Sequence, residues 1–270
     1  MDVLLSERKF IVFLNSLKCL DSVGLNDIHN KFITYQQIVH KYNLKFNMIS
    51  HNDIDKIWTR HFQDSLIPLL LFPEQFRINS FSEKSFLNKI NLKDSLNHIN
   101  YSETIDTKSK INVIDLGTGA GLPGIPLSIL LNHHKFNLVE SNKKKHFFLE
   151  NVLVPILKLK NVEAICNRVE NLKENRNYKD SFEIVLTRGM AKFPAALKLS
   201  LPFLKIGGFA FFWLGSEISV ADIRDIIEKS EKSLGGIFFK EQEYYLPNDS
   251  KSRKIVIVKK INMTHDSLKR

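Results

Sequence analysis

The chemistry-bearing residues of this 270-residue chain concentrate in one run, Val113-Ile-Asp-Leu-Gly-Thr-Gly-Ala-Gly-Leu-Pro-Gly124. Gly117, Gly119 and Gly121 let a backbone turn tightly and approach a ligand with no side chain in the way. An apolar strand reads before the run and a helix after it, the context a nucleotide-binding loop needs. Two ligands fit the letters. From Gly119 the run spells G-x-G-x-x-G, the dinucleotide fingerprint; from Asp115 it spells D-x-G-x-G-x-G, the pattern of S-adenosylmethionine (SAM) enzymes. Either reading needs an acidic residue at the end of the next strand to accept from ribose hydroxyls. Glu140, in Leu138-Val-Glu140-Ser, has that place. Asp115 and the prolines separate the readings. A carboxylate two residues before the first glycine suits an amine-bearing cation and repels a pyrophosphate. Pro123 and Pro126 remove N–H donors that a pyrophosphate would use. SAM is the favoured cofactor, with a nicotinamide-dependent oxidoreductase and a glycine turn that binds nothing as alternatives. No G-x-x-x-x-G-K-[ST] run occurs, which argues against a P-loop nucleotidase.

The elements that must hold this loop alternate. Strands are expected over 111–116, 136–140, 162–166, 182–187 and 209–214, and helices over 122–131, 143–159, 191–204 and 217–234. This order implies a doubly wound, mostly parallel α/β sheet. Two late strands, 237–245 and 254–261, have no helix between them and predict an antiparallel edge hairpin. Before the sheet, the first 72 residues read as helices. One starts near Asn26 or Asp27 as cap, with Ile28, Phe32, Tyr35, Ile38, Val39 and Tyr42 on its stripe. A second starts near Asp53 behind Ser50 as a capping box, with Pro68 expected to kink or end it. Three units follow: a helical extension over 1–75, an Asn-, Ser- and Lys-rich insertion or linker over 76–110, and the ligand-binding domain over 111–262.

Composition narrows the classes. Apolar residues make up 43% and charged residues 25%, values of an ordinary globular chain. Cys19 and Cys166, the two cysteines, cannot build a disulfide framework or a Cys-rich zinc site. The net charge is +10, and residues 111–270 carry 25 basic against 17 acidic side chains. A basic sheet domain fits a polyanionic partner. The start, MDVLLSERKFIVFL, has charges inside any would-be apolar core of a signal peptide. The apolar runs near 67–72 and 209–214 fall far short of the ~20 residues of a spanning helix. A cytoplasmic protein without membrane or metal partners is expected.

With these residues in view, the chain resembles the bacterial small-subunit ribosomal RNA guanine-N7 methyltransferase family, also called glucose-inhibited division protein B. The resemblance rests on three blocks. One is residues 40–50, His-Lys-Tyr-Asn-Leu-Lys-Phe-Asn-Met-Ile-Ser, with Arg60-His-Phe-Gln-Asp-Ser-Leu66. The second is the glycine loop continued through Ile-Pro-Leu-Ser128, with Leu138-Val-Glu-Ser141 and residues 143–149. The third is Asn167-Arg-Val-Glu170, Leu186-Thr-Arg-Gly189 and Ser252-Arg-Lys-Ile-Val-Ile-Val258. The resemblance implies a Rossmann-like SAM-methyltransferase fold and methyl transfer to N7 of a guanine in 16S (small-subunit) ribosomal RNA, free or in the small ribosomal subunit. It implies cofactor contacts at Gly117 and Leu122 in the loop, Val169 and Glu170 after the third strand, and Arg188 after the fourth, beside Gly119 and Glu140, which the loop and strand-end reading above already supplies. It names no catalytic side chain and no metal.

Three departures stand out: Trp213-Leu214-Gly215 replaces the family's Leu-Lys-Gly, Gly189-Met190 replaces Ala-Phe, and the insertion over 76–110 is expected to have no family counterpart. A SAM methyltransferase with another substrate, and an RNA-binding protein without turnover, remain rivals. Among weaker candidates, Lys143-Lys-Lys-His146 and the lysines and arginine near 251–260 could grip phosphates or be solvated faces. Tyr42, Phe46 and Trp58 could stack on bases, although aromatics at helical spacing are more often core. Arg60, His61 and Asp64 are too few for a metal site and read as a buried network joining helix to sheet.

Overall fold

A computed structural model describes residues 2–17, 22–78, 109–247 and 249–264. Cys19 and residues 79–108 of the expected insertion lie outside the described residues. The N-terminal helices are α1 (Asp2–Ser16) and α2 (Ser22–Phe46). Then come a 3-10 turn (His51–Lys56), a π-helical segment (Ile57–Gln63), α3 (Asp64–Leu71) and a second 3-10 turn (Pro73–Phe76). The α/β part follows in the order β1 (Asn112–Leu116), α4 (Gly124–Leu130), β2 (Lys135–Glu140), α5 (Lys143–Phe148), β3 (Val162–Cys166) and α6 (Val169–Leu172). It continues with β4 (Phe182–Arg188), α7 (Phe193–Ser200), β5 (Leu204–Gly215), α8 (Val220–Leu234), β6 (Gly236–Tyr245) and β7 (Ser252–Lys260).

The seven strands form one sheet in the order β3-β2-β1-β4-β5-β7-β6. β3 to β5 are parallel, while β7 pairs antiparallel with both β5 and β6, so the expected edge hairpin is present. β1 lies between β2 and β4, and the winding reverses there. Ligands of such sheets bind beyond the carboxyl ends of the strands at this reversal. The register is informative. Leu116 is level with both Val139 and Thr187, Glu140 with Cys166, and Arg188 with Trp213. The residues one step beyond Leu116, Val139 and Thr187 therefore stand side by side: Gly117, Glu140 and Arg188.

The helical extension is held together by an aromatic cluster and meets the sheet where Phe72 and Phe76 pack against Phe211 of β5. Phe10, Phe32, Trp58 and Phe62 are at most 1% exposed, with ring centroids 4.8 Å (Phe10–Phe32) to 6.0 Å (Phe10–Phe62) apart. Trp58 is thus core and not a stacking platform. Tyr42 and Phe46 are partly buried against the same core.

The helix expected over 143–159 passes through a π segment (Leu149–Leu153), and that over 191–204 gives way to a 3-10 turn (Leu201–Phe203) and to β5 from Leu204. In the helical extension the local path differs from expectation in three places. α2 starts at Ser22, because Leu25 already finds the core; Asn26 and Asp27 lie inside it, and Asp27 pairs with Lys31 at 2.7 Å. Ser50 does cap, accepting from the Asn52 N–H at 3.3 Å, but the turn is 3-10. Asp53 gives no reciprocal bond and instead pairs with Arg60 at 2.7 Å. Pro68 does not end α3, which runs on to Leu71. Pro68 has no N–H to offer the Asp64 carbonyl one turn back, and the Trp213 indole N–H takes that carbonyl at 3.1 Å.

Candidate active site

Asp115 organises the glycine loop from the end of β1. Its Oδ2 accepts from the Thr118 hydroxyl at 2.6 Å and from the Gly124 N–H at 2.8 Å. Its Oδ1 is buried without a hydrogen-bond partner among the described residues. Burial raises its pKa to about 6, against the lowering effects of the Thr118 and Gly124 bonds and of Arg188. A buried carboxylate oxygen without a donor is costly unless a cation or donor completes it.

The first turn of α4 has no such donors left. Pro123 and Pro126 have none, Gly124 N–H goes to Asp115, Ile125 N–H to the Gly121 carbonyl at 2.7 Å and Leu127 N–H to the Pro123 carbonyl at 3.3 Å. A pyrophosphate needs free helix N–H groups, so the dinucleotide alternative finds no anchor here.

Glu140 sits at the end of β2, 8% exposed. Its Oε2 accepts from the Gly119 N–H at 3.0 Å and its Oε1 from the Asn142 N–H at 2.7 Å. The carboxylate is thereby fixed between the loop and the start of α5. Gly119 has φ +61, and a Cβ there would meet nothing closer than the Gly117 carbonyl oxygen at 4.0 Å; the loop presents bare backbone to open space at this point. Gly117, at φ +70, is tighter, since a Cβ would lie 2.9 Å from Met190 Cγ. Leu122 is buried just before α4. Val169 is buried and Glu170 exposed in the first turn of α6.

The far side of the crevice is built from the helical extension. Arg188, at the end of β4, donates through Nη2 to the Arg60 carbonyl at 2.7 Å and to His61 Nδ1 at 3.3 Å, and pairs with Asp64 Oδ2 at 3.1 Å. His61, desolvated and surrounded by Arg188, Arg253 and Arg60, has its pKa lowered to about 3 and so stays a neutral acceptor. The network expected from Arg60, His61 and Asp64 does join helix to sheet. Beside it, a cavity of about 400 Å³ is lined by Arg188, Trp213, Leu214, Glu217, Lys251 and Arg253, among others.

Several of these roles have no clear mark in the sequence. Tyr35 is legible there only as part of an apolar stripe, yet its hydroxyl donates to the Ala120 carbonyl at 2.7 Å. The one hint is a tyrosine where a phenylalanine would pack as well. Met190 is marked there only as a departure from the family's pattern, with no sign that it packs against Gly117. Among the described residues, no group of three His, Cys, Asp or Glu side chains could hold a metal ion. No described helix is long and apolar enough to cross a membrane.

Comparison with known proteins agrees with this geometry. The family model described as rRNA small subunit methyltransferase G matches residues 28–81 and 77–231. Curated relatives called ribosomal RNA small subunit methyltransferase G are similar over most of their length. That of Oenococcus oeni is 30% identical over 237 residues, covering 86% of this chain and 81% of the relative. That of Dictyoglomus thermophilum is 31% identical over 241 residues, with 89% and 84% covered. That of Mycoplasma capricolum is 34% identical over 206 residues, with 76% and 72% covered. Glycine loop, acidic strand end and arginine-lined crevice accordingly belong to a chain of the rRNA small subunit methyltransferase G family.

Proposed function

We propose that this chain transfers a methyl group from SAM to N7 of a guanine in 16S ribosomal RNA, free or within the small subunit, in the cytoplasm. The observation that carries the cofactor assignment is Asp115 Oδ1, a buried carboxylate oxygen left without a partner among the described residues, beside a helix start whose N–H groups are absent or already bonded. That donor set fits an amine-bearing cationic nucleoside and not a pyrophosphate. Gly117, Gly119 and Leu122 would form the loop side of its site, Glu140 the ribose side, Val169 and Glu170 the adenine side, and Arg188 the end nearest the acceptor. Residues 111–262 would be the catalytic domain and 1–75 a helical extension that completes the acceptor side, with 76–110 as an insertion between them.

When bound, SAM supplies an electrophilic methyl group. Guanine N7 has a lone pair and no proton, so the reaction needs no general base, and no catalytic side chain is assigned. The residues of this chain then act by holding the partners in line and by placing fixed charge beside them. Glu140, anchored by two backbone N–H groups, cannot swing away. Arg188, gripped through Nη2 and donating from Nη1 to the Ser65 hydroxyl at 3.4 Å, would face acceptor oxygens and not N7 with what N–H capacity is left.

Nucleoside mass spectrometry of ribosomal RNA from cells with and without the gene tests this reading. The expected result is loss of one 7-methylguanosine from the small-subunit RNA. An unchanged 7-methylguanosine content would overturn it.

A further inference from the structure

A second cavity, of about 820 Å³, lies at the end of the sheet opposite the glycine loop, beside the residues that start β1, β2 and β3: Asn112, Lys135 and Val162. Strands of five and six residues at ~3.3 Å per residue put it roughly 17–20 Å from Gly117 and Glu140. Its wall is basic. Five lysines and His133 line it, against one acidic residue, Glu163. Two of the lysines are answered: Lys31 pairs with Asp27 at 2.7 Å and Lys135 with Glu163 at 3.2 Å. The other three, Lys110, Lys158 and Lys160, are exposed and have no ionic partner among the described residues. Partial desolvation and the Lys110 charge lower the pKa of His133, so its ring is neutral at pH 7 and still donates one N–H.

Lysines near helix ends ordinarily serve the terminal carbonyls. Here other groups do that. Asn161 Nδ2 reaches the Ser128, Leu131 and His134 carbonyls at 3.1, 3.3 and 3.1 Å, which closes the end of α4. The helical turn Val154–Ile156 is closed by main chain. Lys158, at φ +54, donates its N–H to the Pro155 carbonyl and Leu159 donates to Val154, both at 3.1 Å. The same bonds hold the segment 158–161 in place as one wall of the cavity. The three ammonium groups are thus left for a ligand.

The lining also selects the ligand. Apart from two imidazoles it contains no aromatic ring, so a nucleobase has no platform to stack on. Lysine ammoniums are mobile point charges that follow phosphates without reading sequence. Several unmatched cations in one concavity suit a run of phosphates.

We propose that Lys110, Lys158 and Lys160 form a second docking site, for the phosphodiester backbone of a stretch of rRNA remote from the methylated guanine. RNA that reaches both sites passes from one end of the sheet to the other, so the cavity favours a large folded RNA over a short hairpin. The proposal rests on the RNA methyltransferase reading above and deepens it.

The test uses the full chain, small-subunit ribosomal RNA, and ATP as a free-phosphate probe. The cavity variant combines Lys110→Gln, Lys158→Gln and Lys160→Gln. Lys110→Gln with Lys160→Gln spares the left-handed position and keeps the test valid if the triple variant fails to fold. A control with Lys198→Gln, Lys229→Gln and Lys232→Gln loses the same charge from α7 and α8. The cavity variant is expected to raise KM for RNA at least ~10-fold. Its slope of log affinity against log salt should shrink by roughly 0.7–0.9 for each phosphate no longer held. Its kcat at saturating RNA and its SAM affinity should stay within about twofold of wild type, because the cavity is remote from the reacting atoms. The control should show less than about half of the change in slope.

Equal effects in the cavity variant and the control would overturn the proposal, since overall charge and not the cavity would then hold the RNA. A fall in kcat or SAM affinity in the cavity variant would overturn it too, by making these lysines a support for the fold. So would ATP binding that the cavity variant loses while its RNA salt slope matches wild type, which would make the ligand a free nucleotide. A wild-type protein that methylates no small-subunit RNA overturns the parent reading and this one together; an active wild type with an indifferent cavity variant overturns only this one.

Discussion

The Tyr35 hydroxyl donates to the Ala120 carbonyl at 2.7 Å, across 85 residues of sequence and in a fully buried setting. The bond ties α2 to the centre of the glycine loop. Tyr35→Phe keeps the ring packed against Phe62 (centroids 4.8 Å apart) and leaves the carbonyl without this donor. An unsatisfied buried carbonyl costs about 1–3 kcal/mol, so the melting temperature should fall by several degrees. SAM affinity should fall as well, by roughly fivefold for each ~1 kcal/mol of loop order removed. Calorimetry of both quantities checks this; a stability loss with unchanged SAM affinity would make the bond a fold support only.

Asp115 predicts a pH dependence with two opposite signs. Burial raises its folded pKa to about 6 from the ordinary 3.8. A raised folded pKa means that its protonated form contributes stability below pH ~4, and that this contribution is lost as pH rises through about 6. The cost of the buried charge at neutral pH is on the order of 3 kcal/mol. A cationic ligand requires the ionised form, so SAM affinity should rise over the same interval. Asp115→Asn should therefore be more resistant to denaturant than wild type at pH 7.5 and closer to it at pH 4. It should also bind SAM weakly, with no change in affinity between pH 5 and 7.5. An affinity in the Asn variant equal to wild type at pH 7.5 would remove Asp115 from the cofactor site.

Gly119 and Gly117 should fail in different ways. At Gly119 a Cβ has free space, so Gly119→Ala costs only the ~1–2 kcal/mol of a left-handed backbone. It should still lose SAM binding, because the methyl group projects where the loop is bare. Gly117→Val adds a collision with Met190 and should abolish binding and lower stability further. Met190→Ala should restore part of the stability of a Gly117→Ala chain and none of that of Gly119→Ala. Denaturant titrations of the single and double variants decide between coupling and additivity.

Leu214, where the resemblance described above leads one to expect lysine, lines the arginine-bearing cavity. Leu214→Lys should tighten RNA binding and steepen its salt dependence by about 0.7–0.9 in log–log slope if the new cation meets a phosphate. SAM affinity should not change. A flat salt response would show that this chain's cavity does not use the position.

Much of the sheet can be read from the sequence because each strand declares itself locally. Short apolar runs separated by helical patterns fix a parallel core, and the missing helix between β6 and β7 fixes the hairpin. Glu140 is legible for the same reason: it ends the strand after a glycine loop. Asp64 is legible as part of a network, through its spacing from Arg60 and His61. Its partners are not. Tyr244 and Trp213 lie 180 and 149 residues away, and nothing local marks a residue that will be used at such range. The path from 51 to 63 is also hidden, since one or two turns of 3-10 or π helix are too short for their own period to stand out against an α-helical apolar stripe.

Pro68 carries a consequence for protein engineering. Replacing it with alanine would look like an improvement on any scale of helix preference, because α3 would regain a backbone donor at its centre. That donor would compete for the Asp64 carbonyl that Trp213 now holds. The seam between extension and sheet would loosen as the helix tightened. Repairing the flaw in one element would thus unfasten two, and with them the buried aspartate around which the arginines are arranged.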